Sequence, residues 1–201
     1  MKKLYIVFAM AFFALCGTSC AVGWSRAEKE LINGARLSRM RVTTVDDRAD
    51  SLLLRSECRP LTAREVASPL FGRLVASMVE SVNDPENGGV GIAAPQVGVL
   101  RRVVVVQRFD KEGTPFEVYV NPIIESYGEG WAVGSEGCLS VPGLRGEVRR
   151  ATSITLGWRD PVDFKPHREV VEGFTAVIFQ HEIDHLNGVL YTDRADSVNE
   201  E

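Results

Sequence analysis

The apolar positions of this chain fall into patches whose spacing identifies the elements. After Ser68-Pro69, residues Phe71, Leu74, Val75, Met78, Val79 and Val82 recur at helical spacing, which predicts a core-facing helix. Ser68 serves as its N-cap and Pro69 stands in its first turn. The turn-rich stretch from Asn83 to Gly89 ends it. Val171 to Val189 predicts a second helix, with Phe174, Val177, Ile178, His181 and His185 along one side. Ala176, Phe179, Ile183 and Leu186 make a second side apolar, so this helix is expected to be buried on most of its surface and to stop at Asn187-Gly188. Strands are predicted over Arg102 to Gln107, with its four valines, and over Phe116 to Val120, ended by Asn121-Pro122. Two more are predicted at Ser153 to Trp158 and Arg168 to Val171, the connection between them beginning at Asp160-Pro161. Ser126 to Gly134 reads only as glycine-rich. A helix, several strands and then a long helix predict an α+β fold, with antiparallel or mixed sheets packed around a central C-terminal helix.

The first residues carry a different pattern. Lys2 and Lys3 precede an apolar run from Leu4 to Leu15, the arrangement of an export signal over residues 1–21. The run is too short, with the wrong flanks, for a membrane span. Cys20, after Gly17-Thr18-Ser19, resembles a relaxed bacterial lipoprotein cleavage box. The expectation is an exported or membrane-anchored protein that meets the membrane only through this segment or a lipid on Cys20, with Trp24 to Val45 as the tether. If the segment is not a functional signal, the expectation is a cytoplasmic protein. Residues 22–45 then form a linker or short helix, 46–196 one catalytic domain, and 197–201 a tail.

Composition changes this picture little. An apolar fraction of 45% supports a real core. The net charge of −4, with arginines scattered among acids, argues against nucleic-acid binding. A monomer is expected. The cysteines are Cys16, Cys20, Cys58 and Cys138, and with two of them in the signal they define no disulfide framework. A Cys58–Cys138 bridge is conceivable in an oxidising compartment and would remove Cys138 from any metal site.

The chemistry centres on Gln180-His181-Glu182-Ile183-Asp184-His185. One helical turn separates the two histidines, so both imidazoles can reach one metal ion, and the Glu between them can reach water at that ion. Only sixteen residues follow His185, too few for a further ligand-bearing helix, so a third ligand must come from upstream. Cys138 and His167 compete for that place. His167 sits in the polar turn Lys165-Pro166-His167-Arg168, whereas Cys138 lies among glycines and small residues able to approach the helix, which favours the thiolate. The stretch Gly88 to Gly98 is no phosphate loop, because no Lys-Ser/Thr follows it. Taken alone, it reads as a glycine-rich turn carrying a surface Gln96.

Three separated stretches together resemble the three motifs of peptide deformylases: Gly91-Ile92-Ala93-Ala94-Pro95-Gln96, Glu136-Gly137-Cys138-Leu139-Ser140 and Gln180-His181-Glu182-Ile183-Asp184-His185. The resemblance covers roughly Leu52 to Arg194. It implies that Cys138, His181 and His185 hold one divalent metal ion, usually ferrous iron in this family, with zinc or nickel able to take its place. It implies removal of the formyl group from an N-formylmethionyl peptide or nascent-chain N-terminus, giving formate and a free amino group. Glu182 then carries the proton, and the Gln96 side chain and Leu139 backbone N–H donate to the developing oxyanion. The peptide is expected to add as a strand near Val90, Gly91 and Gly137, its methionine among Val90, Phe174, Val177 and Ile178. Two features depart from the family's pattern: Gly134 stands where a bulky apolar pocket residue is common, and an export signal is at odds with work at the ribosome. The alternatives are a metallopeptidase or other amidase on the same ligands, and a non-enzymatic surface-anchored binding protein that kept the fold.

Overall fold

The computed structural model describes residues 23–35, 39–85 and 88–200. The proposed signal, with Cys16 and Cys20, lies outside the described residues. Four helices come first: α1 (Arg26–Gly34), α2 (Arg48–Leu54), α3 (Ala63–Val66) and α4 (Pro69–Val82). Strands β1 (Gly91–Ala93), β2 (Val103–Gln107), β3 (Phe116–Tyr127), β4 (Trp131–Cys138), β5 (Val141–Ala151), β6 (Ser153–Arg159) and β7 (Pro166–Glu172) follow. Helix α5 (Gly173–Leu186) and strand β8 (Val198–Glu200) close the chain. One antiparallel sheet has the order β1-β2-β3-β6-β7, and a second has the order β4-β5-β8.

The valine run of β2 explains the layering. Successive strand side chains point to opposite faces. Val103 and Val105 pack with Leu74, Met78 and Val82 of α4, while Val104 and Val106 pack with Ala176, Phe179 and Ile183 of α5. With both faces covered, all four valines are fully buried. Helix α5 therefore lies against the larger sheet, with Leu186 and Ile154 closing the same cluster. Its N-terminus leaves β7 through Gly173, at φ 62, a conformation that suits glycine. Its C-terminus stops at Asn187-Gly188, where Gly188 takes φ 72 and passes close to the Arg55 carbonyl.

Several elements differ from the expectation. Strand β3 does not end at Asn121-Pro122 but continues to Tyr127 through a register shift between Val120 and Ile123. Pro122 cannot donate to a ladder, and Asn121, at φ 51, spends its side chain on the Leu61 backbone N–H and carbonyl, so the interruption is a bulge. The glycine-rich stretch from Ser126 to Gly134 holds the end of β3 and the start of β4, which pairs with β5 in a long hairpin. Val171 and Glu172 belong to β7, which shortens the long helix at its start.

The segment expected as a tether carries α1, capped by Ser25 and Glu28, and inserts Ile32 into the α4 cluster. Trp24 Nε1 donates to Ser68 Oγ at 3.1 Å. Arg101, 1% exposed, pairs with Glu28 of α1 and with Glu65 of α3 at 2.6 Å, its guanidinium 4.6 Å from the Trp24 ring. Residues 197–201, expected as a tail, include β8, which pairs with Leu144–Gly146 of β5.

Candidate metal centre

Two elements supply the centre. His181 and His185 sit one turn apart on α5 with ring centroids 5.0 Å apart. Cys138 ends β4, where the hairpin turns toward the helix. Ligand atoms of these three residues all lie within 4.8 Å of one another, and Cys138 Sγ is 3.2 Å from His185 Nε2. The Ser140 N–H and Gln96 Nε2 donate to the same sulfur at 3.4 and 3.5 Å. Burial resists a thiolate at Cys138, but His185 and His181 outweigh it and hold the pKa well below the ordinary thiol range. His167 takes no part: it is exposed on β7 and stacked on Trp158, centroids 5.5 Å apart. Cys58 is buried and free, so no bridge removes Cys138. A soft thiolate and two imidazoles within a few ångströms fit a divalent transition-metal ion.

Behind these ligands runs a chain of charged groups. His181 Nδ1 donates to Glu136 Oε2 at 2.9 Å, which leaves Nε2 for the cluster. Arg150 donates to both Glu136 oxygens at 2.8 and 3.0 Å, and to Asp184 at 2.5 Å. Arg194 holds Asp184 through two bonds of 2.6 Å. Burial works against charge on Glu136, yet His181 and Arg150 bring its pKa down to about 2. Glu136 and Asp184 fall inside the sequence motifs but carried no assigned role. Arg150 and Arg194 carried no signal, because only the fold brings them there.

Glu182 has the opposite electrostatics. Burial pushes its pKa up to about 7, and its Oε2, like His185 Nδ1, has no hydrogen-bond partner among the described residues. Its carboxylate lies over Gly91 of β1, where an added Cβ would be 2.6 Å from Oε1. Gln96 is buried, 1% exposed, and not the surface side chain that its glycine-rich setting suggests when taken alone. Its Oε1 accepts from the Ala93 N–H at 2.8 Å, which aims Nε2 at the cysteine.

A cavity of about 820 Å³ opens beside the centre. Val90, Gly91, Gln96, Gly137, Cys138, Leu139, Phe174, Val177, Ile178, His181 and Glu182 all line it, and His185, 1% exposed, lies beneath. Phe174 is 55% exposed at the rim, its ring 5.2 Å from that of Phe109.

An α+β fold with a helix-borne histidine pair, a strand-end cysteine and a buried carboxylate in one cleft defines a metal-dependent hydrolase. Comparison with known proteins narrows the class. The polypeptide deformylase family model matches residues 40–201. A peptide deformylase from Leptospira biflexa is 41% identical over 152 residues, spanning 72% of this chain and 83% of its own. The class I type b peptide deformylase of Acinetobacter baumannii, solved with actinonin bound, is 34% identical with a TM-score of 0.69, covering 79% of this chain and 99% of that one. Its structure with Met-Ala-Ser bound gives 34% identity and a TM-score of 0.67, covering 78% and 98%. The chain belongs to the peptide deformylase family.

Proposed function

We propose that this chain removes the N-formyl group from formylmethionyl peptides, with Cys138, His181 and His185 holding the divalent ion that the reaction needs. The observation that carries this reading is the meeting, in one cleft, of those three ligands with the Glu182 carboxylate, whose Oε2 has no hydrogen-bond partner among the described residues, and the buried Gln96 carboxamide. When bound, such an ion supplies Lewis acidity and makes hydroxide accessible near neutral pH. Ferrous iron is the first choice for it, with zinc and nickel next.

Glu182 takes a proton from the attacking water and returns it to the departing amine nitrogen. A carboxylate with a pKa of about 7 is matched to both transfers. Gln96 Nε2 and the Leu139 backbone N–H donate to the formyl oxygen as it gains charge, an arrangement typically worth about 3 kcal/mol per donor. The peptide backbone lies along the edges of β1 and β4 at Val90, Gly91 and Gly137, as an added strand. Its first side chain lies among Val90, Phe174, Val177 and Ile178. The Met-Ala-Ser complex of the Acinetobacter protein supports a peptide with an N-terminal methionine as the ligand here.

The test is formate release by anaerobically purified protein from formyl-Met-Ala-Ser, beside acetyl-Met-Ala-Ser and with metal analysis of the same sample. Deformylation predicts formate from the first and no cleavage of the second. Equal cleavage of both marks a general amidase, and turnover of neither marks a binding protein.

A further inference from the structure

We propose that Gly134 sets the breadth of the peptide pocket, and that the cleft admits formyl peptides whose first side chain is aromatic as well as those with methionine. This rests on the deformylase reading and names the substrate range of the same site.

Strand alternation fixes where position 134 points. Residues two apart on a strand share a face, so Gly134 points with Glu136, whose carboxylate meets His181 on α5. Its partner across the ladder, Val148, is buried and lines the cleft. Gly134 is exposed and lines the cavity, as its strand neighbours Val133 and Ser135 also do, and a Cβ built there meets only open space, with nothing within 4 Å. Ala132, the next residue on that face, is also small and also lines the cavity. Glycine inside a strand weakens it, and it commonly marks a place where a ligand or another backbone comes close. Gly91 and Gly146 show the usual reason in this fold, since a Cβ at either would collide with neighbours under 3 Å away. No protein atom explains Gly134 in that way.

The rim supplies a matching surface. Phe174 stands half exposed at the cavity and leans on Phe109, leaving aromatic surface available to a ring from the peptide. The cavity volume lies toward the upper end of the range of ordinary ligand pockets, about 300–1,000 Å³.

The test compares formyl-Met-Ala-Ser with formyl-Phe-Ala-Ser on the full chain and on Gly134→Ile, reading kcat/KM. Binding of the products Met-Ala-Ser and Phe-Ala-Ser is followed in parallel by calorimetry. The native chain is expected to process the phenylalanine peptide within about tenfold of the methionine peptide. Gly134→Ile is expected to lower the Phe-to-Met ratio by at least about tenfold, in turnover and in product affinity, the scale on which pocket shape discriminates. A native ratio below about one tenth overturns the proposal. So does an equal loss for both peptides in the variant, which would mean that Gly134 only lets a peptide backbone approach. If Gly134→Ile does not fold, Gly134→Val is read by the same ratio. Absence of formate from the native chain with either peptide strikes the deformylase reading instead, and the calorimetric ratio then decides the pocket by itself.

Discussion

Adding one methyl group at Gly91 should disable the site without unloading it. The glycine is extended and buried in β1, so alanine fits its backbone. Its Cβ would stand 2.6 Å from Glu182 Oε1, 3.0 Å from Glu182 Cδ and 2.8 Å from Ile178 Cγ2. Carbon contacts are comfortable near ~3.5–4.0 Å, so the overlap is roughly 0.7 Å or more on each side. Ile178 is packed in the core on α5 and cannot retreat, which leaves the Glu182 carboxylate to move. Overpacking of this kind costs about 1–3 kcal/mol of stability, a Tm loss of roughly 2–12 °C for a chain of this size. Displacing the proton carrier costs on the order of 100-fold in kcat, about 2.7 kcal/mol of barrier. Cys138, His181 and His185 are not among the nearest atoms to the new methyl, so metal content should stay at the native level. The assay is formate release with metal analysis and a thermal melt on the same sample. Gly72→Ala on α4 is the control, because its Cβ meets nothing and alanine favours a helix. Native kcat in Gly91→Ala, or loss of metal together with activity, would refute the reasoning.

Glu182→Ala should keep its metal and lose about 100-fold or more in turnover, since the ligands remain and the proton carrier goes; full activity, or an empty site on metal analysis, contradicts that role. Gln96→Leu should lower kcat far more than it raises KM, because its N–H acts on charge that develops during the reaction; steady-state kinetics showing a change in KM alone would reduce Gln96 to ground-state binding. Glu65 gives a pH signature: burial raises its pKa, but bonds from Thr62, Arg101 and Arg59 bring it from 4.5 down to about 2. Its contribution is fully present above its unfolded value and is lost as pH falls toward about 2, so the stability gap between the native chain and Glu65→Gln in urea melts should narrow across that window. We propose export, which predicts a processed chain outside the cytosolic fraction on cell fractionation with intact mass, and the Cys20→Ala control tells whether a lipid on that cysteine holds it; an unprocessed cytosolic chain starting at Met1 would return the protein to a ribosome-linked role.

Helices α4 and α5 were legible because their signals are local: the Ser68 cap and a 3.6-residue apolar period in α4, and two apolar sides with the Asn187-Gly188 stop in α5. The β4–β5 hairpin was not, since Trp131-Ala132-Val133-Gly134-Ser135 is exposed throughout and lacks the alternation that marks a half-buried strand. Cys138 could be separated from His167 by the company each keeps in sequence. The burial of Gln96 was not legible in its glycine-rich setting, because it comes from tertiary packing and its side-chain contact with Cys138 spans 42 residues. The Arg194–Asp184–Arg150–Glu136 chain was hidden for the same reason, its members being joined only by the fold.

The docking of Trp24 and α1 alters what membrane attachment would mean. With Trp24 stacked on Arg101 and Glu28 paired to the same guanidinium, the start of the described chain is docked on the domain. A lipid on Cys20 would then lie four residues from Trp24, at most roughly 13–14 Å away at full extension. So short a leash would keep the domain close to the headgroups and restrict its rotation. The enzyme would then survey chain ends at the membrane surface, and its encounter rate would depend on two-dimensional crowding there more than on bulk concentration.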